Sequence, residues 1–114
     1  MARIIKEQAY AERRKAILDV ARQLVITRGY EQMTIQDMLD ALKISKGAFY
    51  HYFDSKQMLL EALIEDMQDE ALQILVPILH DPHLKALAKL QRFFDSASRW
   101  KTAQKSFVIA LLRV

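Results

Sequence analysis

The sequence predicts an all-α fold; two observations lead to that prediction, and a third excludes a membrane span. Glycine and proline account for only four of the 114 residues, which is too few turn-forming residues for a β-sandwich, a β-barrel or a disordered chain. Apolar residues make up 52% of the chain and recur at helical spacing nearly everywhere. The longest unbroken apolar run, residues 107–112, is far shorter than the roughly 20 residues of a membrane span.

Composition and charge narrow the function classes. Cysteine is absent, which excludes disulfides, thiolate nucleophiles and cysteine-ligated zinc, and the first residues lack the apolar stretch of a secretion signal. We therefore expect a cytoplasmic protein. Residues 1–60 hold ten basic and seven acidic residues, whereas residues 61–83 hold six acidic residues and no Lys or Arg. This pattern fits a protein that presents one end to a polyanion, and equally a solvated helix face, so we expect the carboxylates of residues 61–70 to be solvated.

The first helix is predicted from about Ala11 to Arg28. Its buried stripe comprises Ile17, Ala21, Leu24 and Val25. Gly29 ends the helix, because glycine readily adopts the left-handed conformation that follows a helix C-terminus. We expect the residues before Ala11 to form a flexible front.

Two short helices with a tight connection follow. Thr34 is the predicted N-cap of the first, and Asp37, three residues later, completes a capping-box pattern. The apolar face of this helix comprises Ile35, Met38, Leu39 and Leu42. Residues 43 and 44 lead to the second helix, which Ser45 caps and which runs from Lys46 to about Tyr52. Its predicted inward residues are Ala48, Phe49 and Phe53.

Longer helices complete the prediction. Ser55 caps a long helix in which Pro77 is expected to introduce a kink or to loosen the last turn. Asp81 and Pro82 predict a new helix start, with a capping carboxylate and a proline at the first helical position. The predicted apolar stripe of this next helix comprises Leu84, Leu87, Leu90, Phe94, Ala97 and Trp100. We expect the apolar run 107–112, which stops at residues 113–114 without a cap, to be an unburied patch.

Residues 34–53 have the plan of a helix-turn-helix: a short helix, a three-residue turn and a second short helix, with a supporting helix before them. In that motif the second helix enters the DNA major groove and the first crosses the backbone. Here the chain resembles a known family. The segments RKAILD (14–19), RGY (28–30), TIQD (34–37) and ISKGAFYHYFDSK (44–56) resemble, in order and spacing, the N-terminal domain of TetR-family transcriptional regulators.

The resemblance spans about residues 10–65 and identifies candidate DNA contacts. These are Thr34, Ser45, Lys46, Gly47, Ala48, Tyr50, His51, Tyr52 and Lys56. The chain departs from the family pattern at Lys43, where glycine is frequent, and at Tyr52, where histidine is frequent. We expect both departures to alter local phosphate contacts and neither to threaten the fold. The hydroxyls of Thr34 and Ser45 cap the first and the second short helix, respectively. Each hydroxyl can also hold a phosphate at the N-terminus of the helix that it caps.

The other candidates lie on or beside the second short helix. Lys46 and Ala48 head this helix, and Lys46 donates either to guanine or to phosphate. Gly47 either lets the backbone approach DNA closely or is only a helix-start turn. Tyr50 points outward, so that its hydroxyl reaches phosphate and its ring reaches a thymine methyl group.

Three further assignments concern the flanks of that helix. His51 and Tyr52 flank the same face and either contact phosphate or are simply exposed. Lys56 lies in the first turn of the long helix, where the helix dipole disfavours a cation. A bound phosphate would resolve that conflict, and the resemblance also implies a phosphate-binding lysine there. From the flexible front, Arg3 and Lys6 are expected to reach an adjacent groove or the DNA backbone.

No other cluster indicates chemistry. His80, Asp81 and His83 are close in sequence, but Asp81 is explained as a cap, so neither a metal nor another cofactor is predicted. With two glycines there is no phosphate-binding loop, and the serines and histidines show no nucleophile arrangement, so we do not expect an enzyme. Four aromatic residues are predicted to be core, and the resemblance implies that one or two of them line an effector pocket: Phe93, Phe94, Trp100 and Phe107.

The resemblance implies a two-part, all-α organisation. Residues 10–65 would be the helix-turn-helix DNA-binding domain, and residues 66–114 the first part of a helical ligand-binding and dimerisation domain. Because the family normally continues for several more helices, we expect a truncated chain. The implied function is a repressor that binds a palindromic operator as a dimer and is released by a small-molecule effector. An alternative is an interaction module that pairs with longer homologues and modulates their DNA binding.

Overall fold

The computed structural model describes residues 2–112, and these residues form helices joined by short turns. The helices are α1 (Ala2–Arg28), α2 (Ile35–Leu42), α3 (Lys46–Tyr50), α4 (Lys56–Leu79), α5 (Ala86–Ala103) and α6 (Lys105–Leu112). No strand occurs in this part of the chain, which confirms the all-α prediction. The molecule measures 52 × 44 × 18 Å. Its smallest dimension corresponds to two layers of helices, since one helix with side chains is roughly 10 Å wide.

The core lies where α1, α2, α3 and the start of α4 meet, and α6 adds to it. Its buried members are Ile17, Leu18, Ala21, Val25, Met33, Met38, Leu39, Phe49, Phe53, Leu59, Ala62, Leu63, Phe107 and Ala110. Helices of five and eight residues are too short to persist alone in water, so α2 and α3 depend on this packing. Met38 and Phe49 have no exposed surface and hold the two helices against the rest of the domain.

The predicted ends of the short helices are confirmed. The Thr34 hydroxyl accepts a hydrogen bond from the Asp37 backbone N–H at 3.0 Å, and the Asp37 carboxylate accepts one from the Thr34 N–H at 2.9 Å. This reciprocal pair is a capping box. The Ser45 hydroxyl accepts from the Ala48 N–H at 3.1 Å. Gly29 has a φ of 84°, which explains why glycine follows α1.

Helix α1 is longer than predicted, because it begins at Ala2 and not at Ala11. The predicted flexible front is therefore wrong, and Arg3 and Lys6 lie on a helix. The added turns are largely exposed and show no buried stripe, so the apolar periodicity could not reveal them. They contain no glycine or proline, and an ion pair between the Arg3 Nε and Glu7 Oε1 atoms at 3.3 Å, four residues apart, supports them.

Helix α3 ends at Tyr50, and the next two residues form a turn. Phe49 and Phe53 are buried as predicted, but Ala48 is exposed, so its predicted inward position is wrong. The reason is the helical register: the two phenylalanines lie four residues apart on the inward face, and Ala48 precedes Phe49 by about 100° around the axis.

Helix α4 begins after Ser55, whose hydroxyl accepts from the Met58 N–H at 3.1 Å, and it continues through Pro77 to Leu79. The predicted helix start at residues 81–82 is wrong, because α5 begins at Ala86. Asp81 instead accepts a hydrogen bond from the His83 N–H at 2.8 Å. An aspartate that bonds the backbone two residues later stabilises a turn and not a helix start.

The apolar stripe predicted for α5 is covered only in part. Its members Leu87, Leu90 and Phe94 form an exposed face, whereas Trp100, another member, and Phe93 beside the stripe are half-buried. Helix α5 packs against α4 and α6 and contributes no fully buried residue. Periodicity locates an apolar face but not the element that covers it, and no described element covers this face.

Helix α6 packs against α1. Phe107 and Ala110 are buried there, whereas Leu112 is 79% exposed, so the prediction of an unburied run holds for only part of it. The chain end at residues 113–114 lies outside the described residues. The Arg22 guanidinium lies 5.1 Å from the centre of the Phe107 ring, a cation–π distance.

Two ion pairs join α1 to α4. Arg14 lies 3.8 Å from Asp66, and Arg22 lies 3.5 Å from Glu70. Both carboxylates keep 40% and 46% of their side-chain surface exposed, so they are solvated as expected, although each also has an ion-pair partner on α1. The acidic stretch of α4 packs beside the basic helix α1, which the one-dimensional charge pattern could not show.

Candidate nucleic-acid interface

Most of the predicted contact residues are exposed, and they lie at the start of α2 and along α3. Seven of the nine candidates are exposed, while Tyr52 and Lys56 are half-buried. The exposed residues are Thr34, Ser45, Lys46, Gly47, Ala48, Tyr50 and His51. The short helix that carries most of them is anchored from behind by Phe49. A rigid support of this kind lets exposed side chains keep fixed positions.

The start of α2 can bind an anion although a carboxylate is nearby. The Thr34 hydroxyl accepts a hydrogen bond from the backbone, and its own proton remains available to a phosphate oxygen. The backbone N–H of Thr34, which donates to Asp37, lowers the pKa of that carboxyl, and the Arg28 guanidinium does so less strongly. Arg28 lies 2.9 Å from Asp37, which offsets the negative charge beside an incoming phosphate.

The start of α3 is open to solvent at its backbone. A Cβ atom built on Gly47 would have no heavy atom within 4 Å, so packing inside the protein does not require glycine there. The Lys46 ammonium has no ion-pair partner within residues 2–112. An exposed backbone with an unpaired cation beside it can approach a polyanion closely.

Tyr50 points outward as predicted. Its ring is 38% exposed and meets the buried Phe49 ring edge-to-face, with the centroids 5.6 Å apart. The contact fixes the ring without covering its outer face. The hydroxyl is thus carried to the surface of the helix that also exposes Lys46.

Tyr10 of α1 completes this surface, and the sequence interpretation missed it. Its ring stacks on Tyr52 with centroids 4.7 Å apart, and it meets the His51 ring edge-to-face at 5.8 Å. The Tyr52 ring is therefore held against α1, whereas the prediction placed it with His51 on the outer face. One signal could have found Tyr10: it lies seven residues before the buried Ile17, on the same face of the helix.

Lys56 is held by the turn between α1 and α2. Its ammonium donates to the Glu31 carbonyl at 3.4 Å and lies 4.5 Å from the centre of the Tyr30 ring. A lysine ammonium has three donor hydrogens, so two remain after this bond. The cation at the start of α4 is thus positioned by the protein and retains the capacity to bind a phosphate.

The positive charge of this region comes from α1. Residues 34–56 contain three basic and three acidic residues, whereas residues 1–28 contain seven basic and three acidic residues. The helix pair alone therefore carries no net charge. The electrostatic attraction to a polyanion has to come largely from the supporting helix.

Comparison with known proteins agrees with this geometry. Residues 17–63, from the middle of α1 to the start of α4, match the family described as "Bacterial regulatory proteins, tetR family". Over these residues the chain is similar to the DNA-binding domain of TetR-family regulators.

Curated proteins with a similar sequence support this similarity. It is 36% identical over 58 residues to the HTH-type transcriptional repressor KstR2 of Rhodococcus jostii, which covers 51% of this chain and 28% of the relative. It is 29% identical over 106 residues to the HTH-type transcriptional repressor Rv1474c of Mycobacterium tuberculosis, covering 89% of this chain and 54% of the relative. An uncharacterised HTH-type regulator of Bacillus subtilis, YuxN, is 39% identical over 59 residues, 52% of this chain and 20% of that protein.

The chain thus spans between a fifth and just over half of these relatives. No solved structure matches it significantly. None of the helices within residues 2–112 is both long and apolar enough to cross a membrane.

Proposed function

We propose that this chain contains the DNA-binding domain of a repressor that binds a palindromic operator as a dimer and is released by a small ligand. One observation carries the DNA-binding assignment: α3 buries Phe49 and exposes Lys46, Gly47 and Tyr50 on its other side. This is the arrangement of a recognition helix, with an apolar inner face and a polar outer face. The repressor assignment is supported by relatives that are named repressors.

The nine candidate residues have distinct roles in this proposal. Lys46 donates to guanine edges or phosphate in the major groove, and Gly47 and Ala48 allow the backbone of α3 to approach closely. Thr34 and Ser45 donate their free hydroxyl protons to phosphate at the starts of α2 and α3.

The remaining contacts lie at the end of α3 and at the start of α4. Tyr50 donates its hydroxyl proton to phosphate and covers a thymine methyl group with its ring, and His51 and Lys56 hold the flanking phosphates. Tyr52, held by Tyr10, shapes the edge of the surface. Two copies would place their α3 helices in successive major grooves, about 34–36 Å apart.

The family match at residues 17–63 supports a division of the chain into two functional parts. We propose residues 10–65 as the DNA-binding domain and residues 66–114 as the first part of the ligand-binding and dimerisation domain. Trp100 of α5 supports a ligand-binding role for the second part. Its indole N–H is buried and has no acceptor among the described residues, so a ligand that carried an acceptor could bind it.

DNA binding is testable by selecting duplexes from a random pool and titrating the selected site at several salt concentrations. If about four phosphates are neutralised per half-site, log affinity falls steeply as log salt rises, because bound counterions are released. Gly47→Ala tests the close approach of the backbone. We expect this variant to fold at least as stably as the parent, since its Cβ meets nothing, and to bind DNA more weakly.

A matched control for Gly47→Ala is Ala41→Gly, which exchanges the same two residue types at an exposed position of α2 outside the nine candidates. We expect it to lower stability by up to about 1 kcal/mol and to leave the affinity of the folded protein unchanged. A flat salt response together with full DNA affinity in Gly47→Ala would contradict the DNA-contact assignment.

The ligand can be sought with the intrinsic fluorescence of Trp100, the single tryptophan of the chain. A ligand that accepts a hydrogen bond from its indole should change the emission and lower operator affinity. Compounds that change the emission and leave operator affinity unaltered would show that this part of the chain does not control release.

A second candidate function is supported by the exposed face of α5. Leu87, Leu90 and Phe94 are 68%, 53% and 62% exposed, and apolar residues grouped in this way mark surfaces that associate. On this alternative the chain pairs with longer homologues and modulates their DNA binding. Sedimentation with and without a longer homologue separates the two functions, because the alternative requires tight pairing and weak DNA affinity for the chain alone.

A further inference from the structure

One face of the first turns of α1 carries a row of cations that continues the recognition surface. Residues 3, 6, 10, 13 and 17 are spaced by three or four and share one side of the helix. Ile17 at one end of the row is in the core, so the row lies on the side of α1 that faces the helix pair. Beyond Tyr10 the same side exposes Lys6 and Arg3.

The row lies directly beside the recognition helix. Arg13 lines a recess that it shares with Ala48 and Tyr52, and Tyr10 contacts the rings of Tyr52 and His51. These aromatic contacts fix the angle at which α1 leaves the domain. Residues 2–9 continue α1 as a helical rod beyond the edge of the proposed DNA surface.

The charges of this rod are available to a partner. Lys6 and Arg13 have no ion-pair partner among the described residues. Arg3 pairs only with Glu7, and both side chains of that pair are well exposed, at 91% and 67%. An exposed pair of this kind is worth little, so a phosphate can replace the carboxylate.

We propose that the N-terminal turns of α1 form a second DNA contact, in which Arg3, Lys6 and Arg13 bind phosphates that flank the operator core. The proposal rests on the proposed DNA-binding function and assigns the electrostatic part of binding to a helix outside the helix-turn-helix. Charge complementarity supports it, because residues 34–56 carry no net charge while residues 1–28 carry the excess of cations.

The length of α1 before Tyr10 determines how many additional base pairs these N-terminal turns can cover. From Tyr10 to Arg3 the helix rises about 10 Å at 1.5 Å per residue. Base pairs rise 3.4 Å each along the duplex axis, so the extension covers about three additional base pairs on the outer side of each half-site. Tyr10 is a positioning residue in this proposal, since it holds the rod and does not itself touch the phosphates.

The test compares a short and a long form of one duplex. A site selected from a random pool is presented either trimmed to the bases covered by the recognition helices or extended by about one helical turn, roughly 10 base pairs, on both sides. The chain carrying Arg3→Gln and Lys6→Gln together is titrated on both duplexes. The control is Lys15→Gln, an exposed cation on the opposite side of α1 that pairs with Asp19.

The double variant should lose roughly tenfold in affinity for the long duplex and almost nothing for the trimmed one. Its salt slope on the long duplex should fall by about two per protomer, one for each lost phosphate contact. Tyr10→Ala should reproduce part of the loss although all charges remain, and Tyr10→Phe, which keeps the stacked ring, should restore it. Lys15→Gln should bind both duplexes as the parent does.

Three results would overturn the flanking contact. These are an equal loss on both duplexes, an equal loss with Lys15→Gln, and no loss at all. The DNA binding of the parent chain is judged separately. If the parent still selects and binds a defined site, the proposed function stands although the flanking contact is refuted. A parent chain that selects no site refutes the proposed function, and the flanking contact with it.

Discussion

Lys43 occupies the backbone conformation in which glycine is most favourable. Its φ and ψ are 55° and 45°, and its N–H donates to the Leu39 carbonyl to close α2. A residue with a Cβ in the left-handed region is strained by roughly 1–2 kcal/mol. The departure from the family pattern at this position therefore lowers the stability of the fold through backbone strain at Lys43.

Replacing Lys43 by glycine should relieve that strain. We expect Lys43→Gly to stabilise the chain by about 0.5–1 kcal/mol, because the gain exceeds the larger loss of backbone entropy on folding glycine. Urea denaturation measures the difference. Lys43→Ala is the control, since it removes the charge and keeps the Cβ. An equal gain in both variants would show that charge, and not backbone strain, is responsible.

The carboxylate of Asp37 in the cap of α2 makes the stability of the chain depend on pH. The Thr34 N–H, which donates to the carboxylate, is the main cause of its lowered pKa in the folded state. A carboxyl with a lowered folded-state pKa stabilises the protein above its unfolded pKa of about 4, and that contribution is lost as pH falls through the folded value. The parent should therefore exceed Asp37→Asn in stability at pH 7, and the difference should disappear in acid.

Thermal unfolding of both proteins from pH 7 to pH 2 measures this difference. Arg28→Gln, which removes the guanidinium beside the carboxylate, should reduce the pH-dependent part without abolishing it. Curves that stay parallel through this range would contradict the role of the ionised carboxylate.

Within the single helix α3, different residues contribute to the stability of the fold and to the proposed DNA binding. Phe49 is fully buried and Tyr50 is exposed at the next position, although both rings belong to one five-residue helix. Phe49→Ala should cost about 3–5 kcal/mol, a large fraction of the stability of a small domain. Tyr50→Phe should leave the unfolding free energy nearly unchanged and weaken DNA binding, because only the hydroxyl is lost.

Both variants are measured by urea denaturation and by titration of a selected duplex. Phe49→Leu is a control that retains most of the buried volume and should cost less than Phe49→Ala. Equal destabilisation by Phe49→Ala and Tyr50→Phe would show that the inner and outer faces of α3 are assigned incorrectly.

In the whole molecule, α6 packs against α1, the first helix of the chain. Phe107 is 1% exposed and joins the core that α1 to α4 form, and Arg22 bridges it to Glu70 of α4. Parts of the chain about 85 residues apart therefore share one core. We infer that the described helices unfold together.

Phe107→Ala tests that inference and should lower stability by about 3–5 kcal/mol. Circular dichroism follows all helices, and the fluorescence of Trp100 follows α5. In a single cooperative transition the two signals coincide in the parent and shift together in the variant. Phe107→Leu should shift both signals less. A variant that alters only the fluorescence transition would show that α5 and α6 unfold separately from the DNA-binding domain.

Residue spacing along the chain is enough to predict the helix-turn-helix and which face of α3 is buried. Thr34, Ser45 and Ser55 cap helices through hydroxyl–backbone bonds that span three residues, and Phe49 and Phe53 lie four apart on one helical face. These are local relations, set by spacing along the chain, and all of them appear in the structure. The outward position of Tyr50 follows from the same spacing.

The relations between distant elements could not be predicted from the sequence and are seen in the folded structure. The stack of Tyr10 on Tyr52, the Lys56 bond to Glu31 and the pairing of Arg14 with Asp66 join residues 25 or more positions apart. Which face of α5 is buried depends on the helices that pack against it. Asp81 forms a turn in place of the predicted helix start. Such contacts depend on how helices pack in three dimensions, and apolar periodicity along one helix carries no information about its partner.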